Sequence, residues 1–434
     1  MAGFTRRRLI ATTGIIGVAL SLGACGMGGS TPASTQGTGS TDSGELSGEI
    51  TYQTWSLKNE RFTPYFEGLV AAFQDENPGT TIKWTDQPGD GYADKVMQQA
   101  TASQLPDVIN VPPDFAFSLA EAGKLMDLRK ADAEALDAYT EGGVQAYEFD
   151  GMEGSFGYPW YLGTDLNWWN TKAFTDFGLD PEKLPTTLDE MFEQSKTMAK
   201  NSNGKMFLMS SAPGIAEFYA AGSPLFADGE FVFNSAEAVK VLQRYVDLYA
   251  EGAMPPEVLQ STYLGNSQLY LQGKVAWTNG SASLPKDLAE QAPSISEVTV
   301  PTPRIGTPPL FVQGISVAAE SKNPALALAF AQFATNNDNQ VEFVKLAQGF
   351  LPGTKLANEN PESFTDAIED PNMAEAAKLL AAQMPDAEVA APVQFTDAMD
   401  TYTQQQITAA MRGDLSAQDA LDKAVKYCND NLPS

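Results

Sequence analysis

From Glu49 onward, short alternating stretches are followed repeatedly by stretches of helical period, and this order constrains the fold more than any other feature of the chain. Glu49 to Thr54 alternates, with Ile50 and Tyr52 on one face, and predicts a first strand. Thr63 and Pro64 read as an N-cap and first-turn proline. The helix behind them carries Phe62, Tyr65, Phe66, Leu69, Val70 and Phe73 at helical spacing, and Asn77-Pro78-Gly79 stops it. Thr80 to Thr85 predicts a second strand, Tyr92, Val96 and Ala100 a second helix, Asp107 to Val111 a short buried strand, and Phe115 to Ala122 a helix closed by Gly123. Strands that alternate with helices pair in parallel through crossovers, so the expected class is α/β. Further on, Thr187 with Glu190 forms a capping box, and Ser235, Asn323-Pro324 and Ser416 are expected to start later helices. No internal repeat is visible. A chain of 434 residues is too long for one ordinary domain.

The first residues read as an address. Arg6-Arg7-Arg8 forms a positive n-region, and the 14 residues from Leu9 to Leu22 are too short an apolar run to span a membrane. Leu22-Gly23-Ala24-Cys25 resembles the bacterial lipobox, in which the cysteine is acylated and becomes the new N-terminus. The arginines also loosely match a twin-arginine signal, so either secretion route stays open. In residues 26–45, 15 of 20 positions are Gly, Ser, Thr or Pro. Such a coil has an end-to-end distance of about 25 Å and serves as a tether. The expected location is the outer face of the cell membrane, held by lipid on Cys25.

Composition excludes several chemistries. The chain has no histidine, which removes Ser-His-Asp and Cys-His nucleophile activation and imidazole zinc sites. No metal or other cofactor is expected. With Cys25 acylated, Cys428 has no intramolecular partner, and its place on a late helical stripe predicts a buried, inert thiol. The formal net charge is −28, and loss of residues 1–24 with their three arginines takes it to −31. A surface this acidic repels phosphate backbones, so no nucleic-acid partner is expected.

Several stretches, in order, resemble the extracellular solute-binding proteins of ABC importers, in particular the carbohydrate-binding family that includes maltose-binding protein. They are GEITYQTW with FEGLVAAFQDENPGTTIKW, QLPDVINVPPDFAFSLAEAGKLMDL, GYPWYLGTDLNWWNTKAF, LPTTLDEM and LQGKVAWTNGSAS. The resemblance spans about residues 48–430. It implies a two-lobed, periplasmic-binding-protein-like fold of type II, with discontinuous lobes joined by hinge strands. The expected first lobe comprises 46–157 and 306–357, the second 158–305 and 358–434. It also implies a monomer that binds a sugar between its lobes, closes on it, and delivers it to a permease without catalysis.

Sugars present C–H faces that stack on rings and hydroxyls that need donors and acceptors, so the site should offer aromatics and a few polar groups at strand ends. Trp55, directly after the first strand, is expected either to be core or to face the ligand. Asp114 is expected to cap the helix at Phe115, to accept from a sugar hydroxyl, or both. Of the adjacent pairs, Trp160 or Tyr161 is favoured for ligand, and Trp168 or Trp169 for core. Tyr219 lies where the family often places a ligand aromatic, and Phe350 precedes an expected strand. Trp277 and Asn279 follow Gly273-Lys274. There the family commonly has methionine in place of Trp277 and a tryptophan close by, where this chain has Gly280-Ser281-Ala282. Two other readings stay open on residues alone: the same fold holding a polyamine or other non-sugar solute, and a secreted glycosidase using two carboxylates.

Overall fold

The structure, a computed structural model, describes residues 45–260, 263–389 and 391–432. The expected signal segment, Cys25 and nearly all of the expected tether lie outside the described residues. The described residues hold eleven strands: β1 (Gly48–Trp55), β2 (Thr80–Gln87), β3 (Val108–Val111), β4 (Tyr158–Gly163), β5 (Leu166–Asn170), β6 (Phe226–Ala227), β7 (Glu230–Phe231), β8 (Trp277–Gly280), β9 (Thr299–Thr302), β10 (Phe311–Val317) and β11 (Leu351–Pro352). Six of them form a sheet in the order β11-β4-β10-β3-β1-β2, and β8-β5-β9 form a second. β1 pairs in parallel with β2 and β3, while β10 runs antiparallel between β3 and β4. β1 to β4 therefore all point the same way, and their carboxyl ends share one edge.

Each sheet organises its own core. Around the first, Tyr52, Phe66, Trp160 and Phe330 are buried. Their rings meet edge-on, as aromatic quadrupoles prefer: Tyr52–Phe330 at 5.2 Å and Phe66–Trp160 at 5.9 Å. Around the second, Trp169, Phe174, Phe218, Leu242 and Ile407 are buried together with Cys428, whose thiol is shielded as expected. The chain crosses between the two parts three times, at residues 164–165, 303–310 and 388–395, and Leu166, Trp168 and Ala282 on the second side of the junction still pack against the first core. Two expected boundaries move. β4 is central to the first sheet, because Tyr158, Trp160 and Leu162 are buried between β10 and β11, so the first lobe continues through Gly163. Residues 358–387 also belong there, since Phe364, Ala376, Leu380 and Met384 pack into the first core.

The capping residues show how local chemistry sets element ends. Thr187 Oγ1 accepts from the Glu190 N–H at 3.2 Å, and the Glu190 carboxylate accepts from the Thr187 N–H, also at 3.2 Å, to start helix Leu188–Asn201. Ser235 and Ser416 accept from Ala238 N and Asp419 N in the same way. Thr63 does not cap: it is the first residue of helix Thr63–Glu76, and Asn59 Oδ1 takes the Arg61 and Phe62 N–H groups instead. Asn323 does not cap with its side chain either, because its amide donates to Ser47 O at 2.7 Å.

Candidate ligand-binding site

In open α/β sheets ligands sit beyond the carboxyl ends of the strands. Here that edge carries Trp55, Gln87, Val111 and Gly163, and the chain leaves Gly163 directly for the second lobe. The edge therefore faces the junction between lobes.

Trp55 ends β1, is partly exposed, and stacks on Tyr92 at 5.8 Å. Its indole nitrogen is buried and has no hydrogen-bond partner among the described residues. The turn after it is pinned by Asp86, which accepts from Thr54 Oγ1 at 2.6 Å, Leu57 N at 3.1 Å and Lys58 N at 3.0 Å. Gly89 closes over the ring, and a Cβ there would come within 3.3 Å of Trp55 Cε3. Asp86 and Gly89 gave no signal in the sequence, since their partners lie on another strand.

Asp114 sits in the first turn of helix Pro113–Glu121, but Pro112 holds the cap position, so the expected capping role is not met. Its exposed carboxyl titrates above the ordinary range. Partial desolvation is the main cause, the Phe115 N–H opposes it, and the Asp397 carboxylate adds to it. Asp397 opens helix Asp397–Arg412 of the second lobe, so the two lobes bring carboxylates toward each other across the junction.

Tyr161 is partly exposed and meets Phe350 edge-on at 4.9 Å. Phe350 is 44% exposed and Phe311, at the start of β10, is 58% exposed. Both rings lie over Gly163: a Cβ there would be 3.6 Å from Phe311 Cβ and 3.9 Å from Phe350 Cδ1. These are ordinary contact distances, and with Tyr161 the two rings form an aromatic patch around this point. Phe311 was not singled out in the sequence, because an aromatic that opens a strand looks like core.

A cavity of about 580 Å³ lies beside the crossovers, lined among others by Tyr219, Asn279, Asp165, Arg304, Glu388 and Phe311. That volume is ordinary for a small-molecule site. The Tyr219 hydroxyl donates to the Glu388 carboxylate, and desolvation, with Glu388, pushes the phenol up to about 12. Burial likewise raises the Asp165 carboxyl, against the pull of Arg304. Asn279 Nδ2 donates to Asp165 Oδ2 at 3.4 Å. Arg304 keeps Nε and Nη1 buried with no hydrogen-bond partner among the described residues. No group of three or more acids or cysteines among the described residues is placed to hold a metal ion.

The expected residues thus separate. Tyr161 and Phe350 touch, Trp55 and Asp114 stand on the same strand-end edge, and Tyr219 and Asn279 line the cavity. Two are misplaced as ligand contacts. Trp160 is 1% exposed and packs on Phe343 at 4.5 Å, because its side of β4 turns into the core. Trp277 is 8% exposed, and its indole N–H is bonded to Asn167 Oδ1 at 3.0 Å. Trp168 and Trp169 are core, as expected.

Residues 59–341 match the family described as bacterial extracellular solute-binding protein. The chain belongs to that family. The diacetylchitobiose binding protein DasA of Streptomyces coelicolor is 24% identical over 379 residues, 82% of this chain and 84% of that protein. The melibiose/raffinose/stachyose-binding protein MelE of Bacillus subtilis is 22% identical, covering 69% of this chain and 73% of its own length. A putative oligosaccharide periplasmic-binding protein from Synechococcus superposes with a TM-score of 0.76 at 24% identity, over 88% of this chain and 98% of its own. This solute-binding protein thus has the two-lobed type II periplasmic-binding fold expected from its sequence.

Proposed function

We propose that this solute-binding protein captures an oligosaccharide between its lobes and delivers it to the permease of an ABC importer, tethered to the outer membrane face by lipid on Cys25. The observation that carries the reading is the strand-end edge. It offers ring faces at Tyr161, Phe350 and Phe311, a partly exposed indole ring at Trp55 and an acceptor at Asp114. Ring faces suit sugar C–H surfaces, and the polar groups suit hydroxyls. The names of DasA and MelE, both sugar binders, support the same class. Ligand that contacts both lobes binds the closed form better and shifts the equilibrium toward it. The relatives are named as binding proteins, which favours capture without catalysis over a glycosidase. The lipobox-like LGAC and the tether behind it support anchoring.

The test is thermal unfolding of residues 46–434 against monosaccharides, oligosaccharides, spermidine and amino acids. A sugar at about 100 times its Kd should add about 2.7 kcal/mol. A shift with an oligosaccharide, accompanied by a tryptophan fluorescence change, is the expected result. A shift with spermidine alone would keep the fold and overturn the sugar reading.

A further inference from the structure

Three crossovers join the lobes, and one buried side chain meets two of them. Gln383 ends helix Pro371–Gln383, which packs in the first core, and is 7% exposed. Its Nε2 donates to the Asp165 carbonyl at 2.7 Å and to Thr164 Oγ1 at 3.3 Å, both on the first crossover. Its Oε1 accepts from the Arg304 N–H at 3.1 Å, on the second. Past Met384 the chain itself becomes the third crossover, where Glu388 N bonds Pro308 O and Leu310 N bonds Glu388 O. The amide orientation is fixed by its partners: a carbonyl can only receive, and a backbone N–H can only donate. Both amide hydrogens and the oxygen are committed, to partners 219, 218 and 79 residues away in sequence.

We propose that Gln383 is the pivot of the hinge: a positioning residue that holds the first two crossovers at a set separation and thereby sets the open–closed balance of the lobes. It does not need to touch the ligand to change affinity. Bending about the crossovers must keep, stretch or exchange these three bonds, whereas the surrounding packing is non-directional. A buried, fully bonded amide at such a point costs most when left half-satisfied, so it defines one geometry sharply. Apparent affinity scales with the populated fraction of the binding-competent form, so a shifted balance is read directly as a changed Kd. The affinity part of this inference rests on the sugar-capture reading; the pivot itself does not.

The test uses residues 46–434 with spin labels on E121C and K200C, exposed positions in the first and second lobes; the native Cys428 is buried. Inter-lobe distances are measured without ligand in the parent and in Q383L, which keeps bulk and removes all three bonds. Q383E keeps the acceptor for Arg304 but sets an oxygen against the Asp165 carbonyl. T164V, which removes only the 3.3 Å bond, guards against a folding failure in the other two and should give a smaller change. The expected result is a shifted or broadened distance distribution in Q383L and Q383E. Where the parent binds a sugar, Kd should also change by about fivefold or more. Lower melting temperature with an unchanged ligand-free distribution would overturn the pivot and leave Gln383 a packing residue. A shifted distribution in a protein whose parent binds no sugar would uphold the pivot and sink the sugar reading instead.

Discussion

Adjacent residues on β4 carry opposite consequences. Trp160 packs against Phe66 and Phe343, while Tyr161, one position on, reaches the exposed Phe350. Trp160→Ala should lower stability by about 3–5 kcal/mol, because a large ring leaves a well-packed core and the walls cannot fully collapse. Folded protein should keep its sugar affinity. Phe350→Ala should do the reverse: its melting temperature should change little, and affinity should drop about three- to tenfold through loss of one stacking surface. Calorimetric titration beside thermal denaturation separates the two, and a Phe350→Ala protein with parental Kd would remove the patch from the site. Strand alternation narrowed the Trp160–Tyr161 pair to one inward member, whereas Trp168 and Trp169 are both buried because β5 is covered on both faces. The sequence could not say which member of the first pair faced the core, since that depends on the helix packed on each side of the sheet. The helix supplying Phe343 lies 183 positions away in sequence.

Elements were most legible where their signals are local. Tyr92, Val96 and Ala100, read as one helical face, are the buried residues of helix Tyr92–Thr101. The Thr187–Glu190 capping box forms as spaced. Thr187→Ala should therefore cost about 1 kcal/mol, since an N-terminal N–H loses its acceptor at a partly hydrated end. Urea denaturation would detect this as a lower midpoint at constant slope, and an unchanged midpoint would show that the Glu190 carboxylate alone suffices. Signals failed where a distant group competed. Asn323 looks like a cap but spends its amide on Ser47, 276 residues away, and Asn59 displaces Thr63 at its own helix start. The course of residues 358–387 was missed for a similar reason. Their apolar helical stripe is plain, but a stripe does not say which of two cores it fills. The candidate site divides likewise: Trp55, Asp114, Tyr161 and Phe350 are legible as chemistry at strand ends, whereas Asp86, Phe311 and Gln383 stand out only through contacts made across the fold.

For the whole molecule, charge and the missing histidine together fix the pH response. No ordinary side chain titrates between about pH 6 and 8 without imidazole, and burial pushes the Cys428 thiol up to about 11. Net charge is therefore nearly constant and strongly negative through that range. The acid side is governed by two opposed sets of carboxyls. Asp180, held by the Glu182 N–H and Lys183, Glu190, held by the Thr186 N–H, and Glu320, held by Lys124, all titrate below their ordinary range. Each contributes stability above its unfolded value that is lost as pH falls through its lower folded value. Asp114, Asp165 and Asp400 are raised, with desolvation first among the causes. For these the sign reverses: the folded state favours the protonated form, so a penalty builds as pH rises from the ordinary carboxyl range through the raised values, and acid relieves it. Self-repulsion among 55 acids against 27 bases acts in the same direction as the second set. The melting temperature should be flat from about pH 6.5 to 8.5, hold or rise slightly toward about pH 5, and fall below about pH 4 as the first set protonates. Raising NaCl from about 0.02 M to about 0.3 M should stabilise the protein at pH 7.5 more than at pH 5, because only the former carries the full charge to be screened. Melting curves over that grid are the check. A step between pH 6 and 7.5 would place a strongly raised carboxyl inside the fold's stability and contradict the flat profile, whereas equal salt effects at both pH values would show that repulsion does not limit this fold.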